Sequence, residues 1–447
     1  MKILVLSNLF PPHYIGGYEL RCQTVVNALR ARGHVVQVLT SNHGVAATPA
    51  KSAETGVSRT LPAEASVPPL TGTASVGPLA LAGRVAVPAK SAETGVSRTL
   101  RIHGFFGHPW LGIRKLRELE LHNHRVLRDA VDQFRPDLVH VWNLGGLSKS
   151  LCLTIQQLAV PAVFDVSDHW IARSLVADVW LDWWNRQRPA LPARLLRWFW
   201  TLTGARARWS QIAPTNPVRD IRWPRIYFCS RALRELTAAK GYAVQHGEVI
   251  YCPVDIQRFC GEPVSESRPL RKLLYVGRLA EDKGVMTAIK ALAAVQGRFT
   301  GELHIYGQGD PDYTRQLQRF VDQHRLPVFF HTANAAEMPA VYRAHDALLF
   351  TSEWEEPFAL TPLEAMASGL PVIGTMTGGS QELFRHGKNA LTYTAGNPDE
   401  LARRILLLDA DPKGRARLAA EGYAEVRSRF AEPVIIDQIE RYLMAET

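Results

Sequence analysis

Two glutamates, Glu356 and Glu364, bracket the apolar stretch PFALTPL, and their chemistry depends on what holds them. Ala347-Leu348-Leu349-Phe350 reads as a buried strand, so Glu356 falls in the loop between a strand end and a helix start. In open α/β folds ligands bind at such a point. The first N–H groups of the helix are unpaired and its dipole is positive there, which favours an anion such as a phosphate. Two carboxylates beside a phosphate site suit a hydroxyl-rich ligand, with a sugar on one side and a ribose on the other. Glu364 also has a structural reading. Thr361-Pro362-Leu363-Glu364 fits a capping box with Thr361 as N-cap, Pro362 at N1 and Glu364 at N3. The helix then stops at Gly369-Leu370-Pro371. Capping and ribose binding can coexist.

Cations follow a different strand, in LLYVGRLAEDKG. Asp282 is expected to cap a helix over Gly284–Val295, which puts Lys283 in its first turn, where a cation opposes the dipole. That arrangement makes sense when an anion sits between Lys283 and the helix. Near the N-terminus, Gly16 and Gly17 follow a first strand and let the backbone approach a ligand closely. No G-x-G-x-x-G follows that strand, which argues against a nicotinamide oxidoreductase. Gly307 and Gly309 in YGQGD end another strand and are expected to border a nucleotide. Histidines show no ligand spacing, and no metal or cofactor is expected.

The elements that position these residues alternate. Strands are expected over Lys2–Ser7, Val35–Thr40, Leu138–Trp142, Ala162–Val166 and Ile226–Cys229, then over Lys272–Gly277, Leu303–Tyr306, Val328–His331, Leu348–Thr351 and Val372–Gly374. Helical patterns lie between them, which gives two α/β domains with parallel sheets. The 447 residues are too many for one ordinary core. The expected division is residues 1–255, then 270–430, with a helix in 431–447 packing back on the first domain. PAKSAETGVSRTL occurs at 49–61 and again at 88–100. This reads as one duplication inside a poorly ordered surface loop over 45–90.

Five cysteines form no CxxC pair and leave one odd, so a disulfide framework is not supported. The opening MKILVLSNLFPP lacks a signal peptide's long apolar core, and a cytoplasmic protein is expected. Residues 1–223 carry 26 Lys and Arg against 14 Asp and Glu, while the remainder, from totals of 52 and 42, is short of balance by 2. Eight of the 11 tryptophans fall within 170–223. Trp and Arg together suit an anionic membrane surface, with Trp183, Trp184, Arg194 and Arg197 as the expected contacts; the competing account is a Trp-rich core. No nucleic-acid motif accompanies the charge.

The motifs LLYVGRLAEDKG, HIYGQGD, SEWEEPFALTPLEAMASGLPVI and TGGSQEL occur in order, after an N-terminal NLFPPHYIGGYEL. Together they resemble retaining glycosyltransferases of family 4, over nearly the whole chain except 45–90 and 170–223. The resemblance implies the GT-B fold, two facing Rossmann-like domains with a donor cleft between them. It implies a metal-independent transfer of a sugar from a nucleoside diphosphate sugar to an acceptor hydroxyl of a glycan or lipid-linked glycan. Arg278 and Lys283 match the positions that hold the donor diphosphate, Glu356 the contact to the transferred sugar, and Glu364 the contact to the ribose. The backbone of Phe358, Ala359 and Leu360 would line the donor, although Pro357 and Ala359 replace glycines common in relatives. On the acceptor side Ser167-Asp168-His169-Trp170 stands where His-Asp-x-Trp is frequent; Asp168 is retained as a catalytic-group candidate and His169 as an acceptor contact. A non-catalytic sugar-nucleotide or glycolipid binding protein and an epimerase are the alternatives on the same fold.

Overall fold

The computed structural model describes residues 1–45, 95–174 and 178–445. The first sheet contains β1 (Lys2–Leu6), β2 (Val35–Ser41), β3 (Val96–Leu100), β4 (Leu138–Val141), β5 (Ala162–Val166), β6 (Ile226–Phe228) and β7 (Glu248–Val249). Its order is β3-β2-β1-β4-β5-β6-β7, and every pair is parallel. The second contains β8 (Lys272–Val276), β9 (Glu302–Tyr306), β10 (Val328–His331), β11 (Ala347–Phe350), β12 (Val372–Thr375) and β13 (Leu391–Tyr393). Its order is β10-β9-β8-β11-β12-β13, again all parallel. Helices cover both faces, so β4, β5, β11 and β12 are buried at every residue and are mostly apolar, with His140, Asp165 and Thr375 as their buried polar residues.

In each sheet the strand order reverses at one place, between β1 and β4 and between β8 and β11. Chains leaving those neighbours turn to opposite sides, which opens a crevice at their carboxyl ends. The two crevices set the site.

The edge strand β3 is the last five residues of the second copy of the repeated sequence. Its Arg98 donates through Nη1 to Phe10 O at 2.8 Å and through Nη2 to Pro11 O, tying down the loop that follows β1. The first copy, and the expected loop over 45–90 apart from Val45, lie outside the described residues.

Helix Glu432–Met444 lies against the first sheet, with Ile435, Ile436, Ile439 and Leu443 among Ile3, Val5, Val25 and Leu29. Arg32 pairs with Asp437 at 2.5 Å and with Glu440 at 2.5 Å, fixing the outer side of that helix.

Between β5 and β6 the chain inserts a π-helical turn, Trp170–Ser174, and three helices, Val179–Asn185, Leu191–Leu202 and Ala205–Ile212. Their tryptophans form a core: the ring centroids of Trp183 and Trp184 are 4.6 Å apart, and those of Trp200 and Trp209 are 5.0 Å apart. Trp180, Trp184 and Trp200 are buried. This corrects the expected membrane contacts. Trp184 is interior, Trp183 is half-buried beneath Arg197 at 5.3 Å, and Arg197 donates to Arg186 O at 3.0 Å. Only Arg194 of the four is exposed.

Candidate active site

The loops after β8 and β11 are joined along their backbones. Glu353 N donates to Asp282 O at 2.9 Å, and Thr351 Oγ1 donates to Lys283 O at 2.8 Å. This brings Lys283 Nζ to 2.5 Å from Glu356 Oε1. Ser352 Oγ donates to the same carboxylate oxygen at 2.7 Å. Ser352 escaped sequence reasoning, and its signal was local: four residues before Glu356, a hydroxyl can return across the turn.

Arg278 stands at the open edge of this cluster. Its side chain is 60% exposed, and the nearest carboxylate is Asp282 at 3.9 Å. The surrounding backbone is fixed, because Gly277 N donates to Tyr306 O at 3.0 Å, Leu279 N donates to Gln308 O at 2.9 Å, and Tyr275 Oη donates to Arg278 O at 2.9 Å. Gly307 and Gly309 serve that packing: a Cβ on either would lie 1.9 Å from Gly277 O or Leu279 O. Their glycine identity is thus explained by the approach of the two loops.

Two expected caps are corrected. Asp282 belongs to a 3-10 turn, Glu281–Lys283, and the following helix starts at Val285 with Gly284 as N-cap. Lys283 therefore precedes the helix, and its charge is matched by Glu356. The later helix spans Leu360–Ala367 with Ala359 as N-cap and no side-chain cap. Pro362 falls inside the first turn, where its missing N–H costs nothing, so the helix begins before Thr361 and the capping box does not form. Phe358 and Ala359 are buried at this junction.

Glu364 instead accepts from Tyr342 Oη at 2.7 Å. Burial pushes its carboxyl up to about 7, against the opposing pull of the Tyr342 hydrogen bond and Arg258. A carboxyl raised in the folded state binds its proton more tightly than in the unfolded chain. Its stabilising effect is present below the ordinary Glu range and is lost as the pH rises through about 7. Between about pH 5 and about pH 8 this contribution is therefore expected to fall, so the stability difference between the native chain and Glu364→Gln, which keeps an acceptor for Tyr342, should shift against the native chain as the pH rises. Urea midpoints at the two pH values measure it. Parallel slopes would show that Glu364 is ionised throughout.

The first domain meets this cluster from the opposite side. A Cβ on Gly17 would lie 2.8 Å from Leu360 Cδ1, so the glycine loop faces the start of helix Leu360–Ala367. Gly16 N donates to Glu19 Oε2 at 2.9 Å, which shapes that loop. His169 lies 3.0 Å through Nε2 from Glu355 O, and its ring meets Trp354 edge-on at 5.5 Å. Arg173 covers Trp354 at 4.0 Å. Burial lowers the His169 pKa, which favours a neutral ring donating to that carbonyl. Asp168 accepts from Asn143 Nδ2 at 2.8 Å and from Trp170 N at 2.8 Å, and burial pushes its carboxyl up to about 7. Ser167 is held by Asp165 at 2.7 Å and by Arg21, within a buried ion pair.

Of the residues expected from the sequence, the structure brings Lys283 to Glu356 and Gly17 to Leu360, sets His169 on Glu355 O, and leaves Arg278 exposed beside Asp282. Glu364 lies one helical turn deeper. Two Asp-x-Asp sequences escaped sequence reasoning, and both lie at helix starts: Asp310 caps at 2.9 Å from Asp312 N, and Asp411 at 2.8 Å from Gly414 N. Among the described residues no group of three or more His, Cys, Asp or Glu could hold a metal.

Comparison with known proteins gives consistent findings. Residues 264–425 match the family described as Glycosyl transferases group 1. The chain is 33% identical over 133 residues to an uncharacterized glycosyltransferase of Methanocaldococcus jannaschii, covering 30% of this chain and 34% of that protein. It is 28% identical over 180 residues to N-acetyl-alpha-D-glucosaminyl L-malate synthase of Bacillus anthracis, covering 40% and 45%. These alignments span less than half of each relative. Whole-chain likeness appears in solved structures. HepE of Anabaena in complex with UDP superposes with a TM-score of 0.63 at 19% identity over 99% of both chains. Sucrose-phosphate synthase of Thermosynechococcus elongatus superposes with 0.63 at 20% identity over 98% of this chain and 97% of that one. The chain therefore has the GT-B fold, and residues 264–425 carry its match to the group 1 glycosyl transferases.

Proposed function

We propose that this protein is a retaining glycosyltransferase that moves a sugar from a nucleoside diphosphate sugar to an acceptor hydroxyl of a glycan or lipid-linked glycan. The observation that carries the reading is the meeting of Lys283, Ser352 and Glu356 at the switch point of the second sheet, with Arg278 exposed beside Asp282 on the loop that carries Lys283. Arg278 and Lys283 meet the donor diphosphate. As the sugar–phosphate bond loosens, negative charge grows on the leaving group, and these cations with the first amides of helix Leu360–Ala367 stabilise it. That assigns the two cations the charge compensation that a metal performs in other transferases. Glu356 holds hydroxyls of the transferred sugar, and Glu364 takes the ribose.

The acceptor enters from the first domain, past Gly16, Gly17, Asp168 and His169, on the face that the diphosphate leaves. Its proton passes to the leaving phosphate. Gly307 and Gly309 act indirectly by fixing the Arg278 loop.

The test is a thermal-shift series with UDP-, GDP- and ADP-sugars, followed by assay for released nucleoside diphosphate. A donor at about 100 times its Kd stabilises by roughly 2.7 kcal/mol, since the gain is RT ln(1 + [L]/Kd). One donor class is expected to raise Tm and to be turned over with an acceptor. No shift with any donor would end the reading. A shift without transfer would favour a binding protein, and conversion of the sugar without an acceptor would favour an epimerase.

A further inference from the structure

Helix Leu191–Leu202 is apolar on both sides. Its inner face carries Trp200 against the tryptophan core. Its outer face carries Leu191, Leu195, Trp198, Phe199 and Leu202, at spacings of one helical stripe and with exposures from 52% to 69%. Single exposed apolar side chains are ordinary, but a continuous stripe marks an interaction surface, and a helix that is apolar all round calls for cover on each side.

Charge selects the cover. Between Asp182 and Asp220 the sequence contains seven arginines and no carboxylate side chain. Arg188, Arg194 and Arg208 are exposed. A second patch lies at the start of helix Ile113–Phe134, where Trp110 is 61% exposed beside exposed Arg114 and Lys115. The helices are linked: Arg117 covers Trp209 at 4.8 Å, and Trp209 packs on Trp200. A second copy docked on the same stripe would bring like charges together, because a two-fold interface repeats the same surface on both sides. An anionic bilayer supplies acyl chains for the apolar stripe and phosphates for the arginines, and it accommodates Trp at the headgroup level.

We propose that the outer face of helix Leu191–Leu202 docks on an anionic lipid bilayer, with Leu191, Leu195, Trp198, Phe199 and Leu202 at the acyl boundary and Arg188, Arg194 and Arg208 among the headgroups. The helix lies in the plane of the surface. At 12 residues it is too short to cross, and among the described residues no helix is long and apolar enough to do so. Docking places the first domain, where the proposed acceptor enters, against the lipid. That consequence rests on the transferase reading, whereas the docking itself does not.

Sedimentation with vesicles tests it. The full chain is mixed with vesicles of phosphatidylcholine alone or of phosphatidylcholine with phosphatidylglycerol in equal parts. It is expected to pellet only with the anionic vesicles, and to be released at 1 M salt, where the Debye length falls to about 3 Å. Two variants share the test, one with Leu195, Trp198 and Phe199 changed to Ser, the other with Arg188, Arg194 and Arg208 changed to Gln. Each should lose at least ~10-fold in partitioning while circular dichroism and the donor-induced Tm shift stay unchanged. Full retention in the supernatant with anionic vesicles overturns the proposal, as does undiminished binding by the apolar variant. A lipid-free dimer in light scattering that the apolar variant abolishes also overturns it, assigning the face to a second copy. A missing donor shift with vesicle binding intact would refute the transferase reading alone.

Discussion

Replacing Glu356 by Ala is expected to lower kcat by roughly 10²–10³-fold while the chain still folds, because the proposed role gives it a charged contact to the reacting sugar, and a contact of that kind is worth that much. Folding survives because the side chain lies in a loop. Its partners are Lys283 and Ser352, outside the apolar clusters. Removal also frees Lys283 Nζ for the diphosphate, so donor affinity should hold or improve as turnover falls. Glu356→Gln keeps an acceptor for Ser352 without the charge and should fall between. Replacing both Arg278 and Lys283 by Ala should act on the opposite parameter, raising the donor's Kd and KM as well as depressing kcat. The measurement is kcat and KM for whichever donor shifts Tm, with circular dichroism as the control for folding. Near-normal turnover in Glu356→Ala would falsify its assignment to the sugar.

The parallel architecture was legible because its strands are short apolar runs between helical patterns, and β5 and β10 match their expected bounds. What escaped was short or peripheral. β7 has two residues and β13 three, too few for a periodic signal, and β3 lies inside a duplicated stretch whose composition suggests a loop. Among the candidate site residues, Glu356, Arg278 and Lys283 were visible through motif order. Their mutual distance was not, since it depends on hydrogen bonds between residues about 70 positions apart in sequence, such as Thr351 with Lys283. Helix starts were misplaced for a local reason. Thr361-Pro362 and Asp282 have the right chemistry for caps, but Pro is tolerated anywhere in a first turn, and Gly284 in a left-handed conformation started its helix instead. The Trp and Arg content of 170–223 could not separate a core from a surface. Packing assigned most of the rings to the core and left the stripe on Leu191–Leu202 outside.

The two halves of the cleft also constrain each other. Ser230 Oγ donates to Pro357 O at 2.6 Å, and Glu382 accepts from Arg231 N at 3.1 Å and Ala232 N at 2.9 Å at the start of helix Arg231–Ala239. A carboxylate there pairs with free amides and the positive end of the dipole. With His169 on Glu355 O, four hydrogen bonds from the first domain meet the second within or beside the Glu355–Pro357 segment and the Gly378–Glu382 turn. The position of Glu356 is thus coupled to the position of the first domain, so a change in how the domains meet would be felt at Glu356.

Substitution of Gly284 should disable the site through the backbone. Gly284 has φ +65, and a Cβ built there falls 2.0 Å from Thr351 O, a main-chain atom that cannot swing aside. An L residue in the left-handed region costs about 1–2 kcal/mol by itself. Gly297 isolates that part: its φ is +79, and nothing lies within 4 Å of a built Cβ. Gly297→Ala is therefore expected to lower the unfolding free energy by only about that amount and to leave donor binding intact. Gly284→Ala carries the same conformational cost plus a collision that must push the β8 and β11 loops apart. Separation breaks the Thr351 to Lys283 and Glu353 to Asp282 hydrogen bonds and draws Lys283 away from Glu356. A shift of about 1 Å at such a contact is enough to cost on the order of 10²-fold in rate. Urea unfolding and the donor-induced Tm shift, measured on both variants, separate the terms. If Gly284→Ala matches Gly297→Ala in both, the two loops can part without consequence, and the close approach does not position the cation and the carboxylate.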